Sequence, residues 1–170
     1  MELTKTQAFE KNQKYLFFMK PLFHFYYKRL VRKELSLTTL SKSDHILFIG
    51  AGALPLSAVY LKKYTEANIT IIDNNNEMIT CANNYLKSTN KDIKSLCIDG
   101  KNIDIDAYSV IFIANQVAPK STVVNYILNH AKSNTKLFVR GVYTNKHKYL
   151  CLKCRHYLAK TKTTHLIHIT

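Results

Sequence analysis

The sequence predicts one α/β domain: a mostly parallel sheet with helices on both faces, finished by an antiparallel C-terminal hairpin. Two observations carry this. Short apolar runs alternate with helical patterns at the spacing of strand–helix–strand units. The last thirty residues then change to a β-rich, partly alternating pattern with a short polar break. A chain of 170 residues suits a single domain. Its 46% hydrophobic and 21% charged residues exclude wholesale disorder and collagen-like sequence.

Residues 5–19 and 22–36 read as two helices broken at Pro21, because proline removes an N–H and clashes with the preceding turn. Their dense aromatic residues are expected to cover the sheet or the rim of a pocket. Residues 1–43 are expected to form a helical cap, and residues 44–170 the sheet domain. His45 to Ile49 is a short apolar run ending at Gly50, which suits a strand buried on both faces. Pro55 to Lys63 reads as a helix with proline in its first turn, where the missing N–H costs nothing. Asn68 to Asp73 is the second strand, Asn75 to Lys87 a helix, and Ile93 to Ile98 the third strand. Tyr108 to Ala114 is the fourth, Ser121 to Ala131 a helix, and Thr135 to Val139 the fifth. Lys148–Leu158 and Thr164–Thr170 form the hairpin.

The formal charge is +14, and residues 107–170 carry ten basic side chains and no acid. Such a tail invites an anionic partner such as RNA, although a compositional bias toward Lys, Asn and Ile gives the same excess. The run from Tyr15 to Tyr27 is too short, and too interrupted by Lys20 and Pro21, to cross a bilayer. The N-terminus lacks a small-residue cleavage site, so the four cysteines are expected to be free thiols in the cytoplasm.

The motif with most chemical content is Gly50-Ala51-Gly52-Ala53-Leu54-Pro55. A strand running into Gly-x-Gly and then a helix lets the backbone bend sharply and leaves space for a ligand. The helix start adds N–H groups that favour an anionic group. Asp73, followed by Asn74, ends the next strand, where an acid can accept from both hydroxyls of a ribose. Asp99-Gly100 ends the third strand, where a carboxylate can accept from an adenine amine. Three successive strand ends thus converge on a nucleoside site, with helix capping or turn formation as the competing role for Asp73 and Asp99. A dinucleotide fingerprint wants a third glycine where Pro55 stands, which disfavours a pyrophosphate ligand.

These residues resemble the Rossmann-like class I S-adenosylmethionine-dependent methyltransferase fold. The resemblance implies S-adenosylmethionine as the cofactor. It places the methionyl part against Gly50, Ala51, Gly52, Leu54 and Pro55, the ribose on Asp73 and Asn74, and the adenine at Asp99 and Gly100. Ala114 and Asn115, after the fourth strand, complete the cofactor-binding set implied by the resemblance, where that fold also meets its substrate. Phe48 stands where the fold usually has an acid.

The segment Phe48 to Leu56 further resembles the first motif of nicotianamine synthases and related opine-type metallophore synthases. Ile72-Asp73-Asn74-Asn75, Val110 to Ala114 and Val139-Arg140-Gly141 are similar to later segments of that family, and Tyr26-Tyr27 with Glu34 to its tyrosine- and glutamate-bearing helix. The resemblance implies transfer of an aminocarboxypropyl group to a small-molecule amine. Such transfer needs a neutral amine and so a proton acceptor, for which Tyr26, Tyr27, Glu34 and Tyr143 are the candidates.

Cys151-x-x-Cys154-x-His156 with His147 has the makings of a zinc site. On a strand, however, Cys151 and Cys154 point to opposite faces, so no metal is expected. Two other functions compete with the small-molecule transferase. One is RNA methylation, through the basic tail and Tyr143, Tyr149 and Tyr157. The other is a non-catalytic module that binds a nucleoside or a partner.

Overall fold

The computed structural model describes residues 13–141, 156–160 and 164–169, with the backbone alone described for 13–20 and 156–160. Among the described residues eleven elements follow in order: α1 Gln13–Leu35, β1 His45–Ile49, α2 Leu56–Thr65, β2 Asn68–Asp73, α3 Asn76–Ser88, β3 Lys94–Cys97, β4 Val110–Ile113, α4 Lys120–His130, β5 Lys136–Arg140, β6 His156–Lys160 and β7 Thr164–His168. They build a seven-stranded sheet in the order β3-β2-β1-β4-β5-β7-β6. β1 to β5 pair in parallel. β7 joins β5 antiparallel, and β6 pairs antiparallel with β7 at the edge. The sheet is therefore Rossmann-like, mostly parallel, and closed by the expected hairpin.

Alternation along each strand divides the core in two. Ile46 and Phe48, Ile69 and Ile71, Val110 and Phe112, and Phe138 face one side, under α1, α2 and α3. Leu47 and Ile49, Ile72, Ile111 and Ile113, and Leu137 and Val139 face the other, under α4. On the first side Phe48, Phe112 and Phe138 stack across three strands, with ring centroids 5.8 and 4.2 Å apart.

Local chemistry sets the element ends. Asn75 caps α3, its side chain accepting from the backbone N–H of Glu77 (2.9 Å) and Met78 (3.4 Å). The left-handed residue after α2 is Glu66, whose N–H returns to the Lys62 carbonyl.

One expectation is corrected. The helices expected at 5–19 and 22–36 do not break at Pro21, because α1 runs through it without interruption. Pro21 is exposed, so a carbonyl deprived of its donor there can be hydrated. The half of the helix that follows is fixed by burying Leu30, Val31 and Glu34. Tertiary burial outweighs the roughly 3 kcal/mol cost of an interior proline. Residues 5–12 lie outside the described residues. At its midpoint α1 is tied to α2 and α3 by His24, whose ring nitrogens meet Tyr60 Oη at 2.9 Å and Tyr85 Oη at 3.4 Å.

Candidate functional site

The parallel strands end together on one edge. Ile49, Ile72, Ile113 and Val139 share a register line, so Gly50, Asp73, Ala114 and Arg140 follow side by side. Ligands of open α/β sheets bind outside this edge, where the strand order reverses. Here the reversal falls between β1 and β4, next to Gly50.

A cavity of about 300 Å³ opens there. The glycine turn supplies one wall, with Gly50, Ala51, Leu54 and Pro55. Ala114, Asn115 and Gln116 after β4 supply a second, and Arg140 and Gly141 at the end of β5 a third. Tyr26, Tyr27 and Leu30 of α1 form the roof. The two tyrosine rings meet edge to face, centroids 5.1 Å apart.

The glycine turn is held from outside. Gly50 and Gly52 have φ of +79° and +65°, in the region open to glycine. A Cβ on Gly50 would lie 2.5 Å from Val117 Cγ2. The Gly50 and Ala51 N–H groups both donate to the Ile72 carbonyl, at 2.9 and 3.1 Å. Asp73 is only 5% exposed; its Oδ2 accepts from Gly52 N–H and its Oδ1 from Asn75 N–H, each at 3.0 Å. The acid thus clamps the turn after β1 to the helix start after β2.

The sequence-derived candidates separate by position. Gly50, Ala51, Leu54, Pro55, Ala114 and Asn115 surround the cavity, as do Tyr26 and Tyr27. Gly52, in the turn but not in the cavity lining, is bonded to Asp73 behind it, and Asn74 is exposed beside them. Asp99 and Gly100 lie farther along the edge. Asp99 Oδ1 accepts from Lys101 N–H at 3.1 Å, as a turn former does. Gly100 is a packing glycine, since a Cβ there would lie 2.7 Å from Ile49 Cγ2. Glu34 is fully buried against Arg140 and does not line the cavity. Tyr143 and the segment with His147, Cys151 and Cys154 lie outside the described residues, as does the His156 side chain. Among the described residues no cluster of three metal-ligating side chains occurs.

Sequence reasoning missed the most polar part of the site. Arg140 is 5% exposed yet reaches the cavity. Its Nε and Nη2 donate to the two carboxylate oxygens of Glu34, both at 2.7 Å, and its Nη1 donates to Ser57 Oγ at 2.7 Å. Thr164 Oγ1 donates to Glu34 Oε1 at 2.7 Å. The guanidinium carbon lies 5.0 Å from the centre of the Phe48 ring. Phe48, where an acid is usual in this fold, is thus the surface on which the arginine rests. The available signal was a basic residue ending the apolar run Leu137-Phe138-Val139, since a charge buried there needs a partner. Beside it Lys120 Nζ donates to the Arg140 carbonyl at 2.6 Å and to Asn115 Oδ1 at 3.4 Å. Burial holds the Lys120 ammonium below the usual lysine pKa.

The family model described as nicotianamine synthase protein matches residues 6–157. No curated protein matches the chain. Among solved structures, MtNAS in complex with MTA and tNA superimposes with a TM-score of 0.77 at 17% identity, over 97% of this chain and 68% of that one. A point mutant of MtNAS in complex with S-adenosylmethionine gives 0.76 at 16% identity, over 96% and 69%. An RNA methyltransferase from Salinibacter ruber in complex with S-adenosyl-L-homocysteine gives 0.67 at 12% identity, over 84% and 90%. The fold is that of the class I S-adenosylmethionine-dependent methyltransferases.

Proposed function

This chain belongs to the nicotianamine synthase family, and on that premise we propose that it is an S-adenosylmethionine-dependent transferase moving the aminocarboxypropyl group to a small-molecule amine. The family match, over a cavity set against the Gly50-Ala51-Gly52 turn, is the observation that carries this reading.

The sulfonium of S-adenosylmethionine makes its attached carbons electrophilic. In the proposed transfer an amine lone pair forms the new N–C bond at the methionyl γ-carbon. The C–S bond breaks, its electron pair goes to sulfur, and 5′-methylthioadenosine leaves. The amine gives up one proton. The chain's own work is to place the amine in line at about 3–3.5 Å and to exclude water. The glycine turn offers backbone without side chains for the methionyl part to lie on. Asp73 keeps a free lone pair on each oxygen beyond its two backbone bonds, which suits ribose hydroxyls. Asn74, Asp99 and Gly100 continue along the edge, toward the adenine in this reading. Tyr26 and Tyr27, in the roof, are the groups nearest an incoming amine and the first candidates to relay its proton. Glu34, tied on both oxygens, acts through Arg140 in this reading, and Tyr143 remains a candidate from the sequence alone. Residues 1–43 serve as the cap over the site and 44–170 as the cofactor domain.

Among the described residues no helix is long and apolar enough to cross a membrane. The two described cysteines, Cys81 and Cys97, are free thiols, and this supports a cytoplasmic protein. A second reading, RNA methylation, is favoured by the acid-free stretch 107–170. RNA affinity that does not change with salt, or is undetectable, removes it.

Calorimetric titration with S-adenosylmethionine and 5′-methylthioadenosine tests the first step. Both should bind the wild-type protein, and Asp73→Ala should bind neither while still folding. Absence of binding to the wild-type protein overturns the transferase. Retained affinity in Asp73→Ala overturns the ribose assignment.

A further inference from the structure

Among the described residues, the side chains around the cavity include one cation, Arg140, and no acid. Arginine carries five N–H groups. Glu34 takes two of these and Ser57 one. The other two, one on Nη1 and one on Nη2, have no partner among the described residues. The guanidinium plane is fixed by Glu34 along one edge and by the Phe48 ring against its face. A planar donor pair fixed in advance loses little freedom when it binds a planar acceptor pair.

Asn115, at the mouth, is oriented by a longer contact, 3.4 Å from Lys120 Nζ. Lys120 Nζ can only donate, so the atom of Asn115 that faces it is the amide oxygen. The Asn115 NH2 group is thereby turned away from Lys120, leaving two donors on a residue that borders the cavity. Gly141 completes the lock. Its φ is +96°, and a Cβ on it would strike Asn115 Oδ1 and lie 2.9 Å from Lys120 Nζ. Gln116 has the opposite polarity: its amide nitrogen donates to the Gly50 carbonyl at 3.1 Å, which leaves an acceptor oxygen. The β4–β5 side of the cavity thus carries directed donors from two residues, with an acceptor next to them. Glu34 offsets the net charge of Arg140, so what the site offers a planar anion is chiefly the fixed geometry of its remaining N–H donors.

We propose that Arg140 and Asn115 form a carboxylate-binding fork, with Glu34 and Lys120 as its positioning residues, that receives the α-carboxylate of an amino-acid end in the cavity. This rests on the transferase reading above and goes further, by assigning the polar wall of that site. The carboxylate has two sources in such a reaction: the methionyl end of the donor, or an amino acid offered as acceptor.

The test uses the full chain and ligands with and without this group, each read as the ratio of variant to wild-type affinity. S-adenosylhomocysteine carries the carboxylate and the amine, decarboxylated S-adenosylmethionine the amine alone, and 5′-methylthioadenosine neither. The acceptor's carboxylate is read with 2,4-diaminobutyrate against 1,3-diaminopropane, titrated with 5′-methylthioadenosine saturating. Asn115→Asp replaces the amide donors by a carboxylate on an exposed, near-isosteric side chain. Lys120→Met releases the amide, and thermal melts confirm that both variants fold.

If the fork holds the donor, both variants weaken S-adenosylhomocysteine by about tenfold or more. Decarboxylated S-adenosylmethionine and 5′-methylthioadenosine then stay within about twofold. If it holds the acceptor, the same selective loss falls on 2,4-diaminobutyrate and spares 1,3-diaminopropane. Loss shared equally by carboxylated and decarboxylated ligands, or no loss, overturns the fork. Failure of 5′-methylthioadenosine to bind the wild-type protein overturns the transferase reading itself, which keeps the two failures apart.

Discussion

Glu34 and Arg140 stand 106 residues apart in sequence and meet in a two-pronged ion pair, both N–H···O distances 2.7 Å. The acid comes from the cap helix and the base from the end of the fifth strand. The pair therefore joins the element above the cavity to the sheet below it. Neither side chain is more than 6% exposed.

Cutting this pair should be costly. Glu34→Ala leaves a guanidinium buried without its counter-charge, and a loss of about 3–5 kcal/mol in unfolding free energy is expected. The double change Glu34→Leu with Arg140→Met should recover much of that loss, because it removes both charges and keeps the volume. Urea denaturation of the three proteins measures this. A double variant as unstable as Glu34→Ala would contradict it.

Asp73 should prove as important to the turn as to any ligand. In Asp73→Asn the amide oxygen can accept from only one of Gly52 N–H and Asn75 N–H. The amide NH2 then faces the other donor. A destabilisation of about 1–3 kcal/mol is expected, with weaker nucleoside binding. Chemical denaturation alongside titration of 5′-methylthioadenosine reads both effects.

Gly50 should tolerate nothing larger. Gly50→Ala puts a Cβ 2.5 Å from Val117 Cγ2 and holds a non-glycine residue at φ +79°. Left-handed backbone alone costs about 1–2 kcal/mol. Adding Val117→Ala should relieve the contact and not the backbone cost, so the double variant should recover only part of the stability. Full recovery of the melting temperature would contradict the backbone argument.

Stability should fall in alkali through two tyrosines. Burial, then the neighbouring Tyr64, raises the Tyr60 pKa. Burial, then Tyr60, raises that of Tyr85. An unfolded tyrosine gives up its proton near pH 10. The unfolded chain therefore deprotonates first, and stability present below about pH 10 is lost as pH rises through the folded values. Lys120, held below the usual lysine value by burial, acts in the opposite sense. The comparison is thus between the wild-type protein and Tyr60→Phe with Tyr85→Phe in the same buffers. Urea midpoints from about pH 9 to 11 should drop more steeply for the wild-type protein.

The sheet was legible in the sequence wherever burial is two-sided. His45–Ile49 and Asn68–Asp73 are apolar runs bounded by polar or glycine residues, and both strands fall at those limits. β3 is half exposed and shorter than the run from Ile93 to Ile98 suggests, because its neighbours bury it incompletely. α1 misled because a local rule about proline yields to burial of residues 30–34, which only the folded sheet supplies. The glycine turn and the residues after β4 were legible because backbone geometry is written into Gly50 and into the ends of strands. The Glu34–Arg140–Ser57 network was not, since no local pattern announces a contact between residues 106 apart. The lock on Asn115 was equally hidden: it depends on the missing side chain of Gly141 and on Lys120, which reaches back from the next helix.

The nucleoside released when the protein turns over S-adenosylmethionine with an amine acceptor tests the central claim most directly. Mass spectrometry should find 5′-methylthioadenosine, together with an acceptor heavier by one aminocarboxypropyl group. Release of S-adenosylhomocysteine with a methylated acceptor would contradict it.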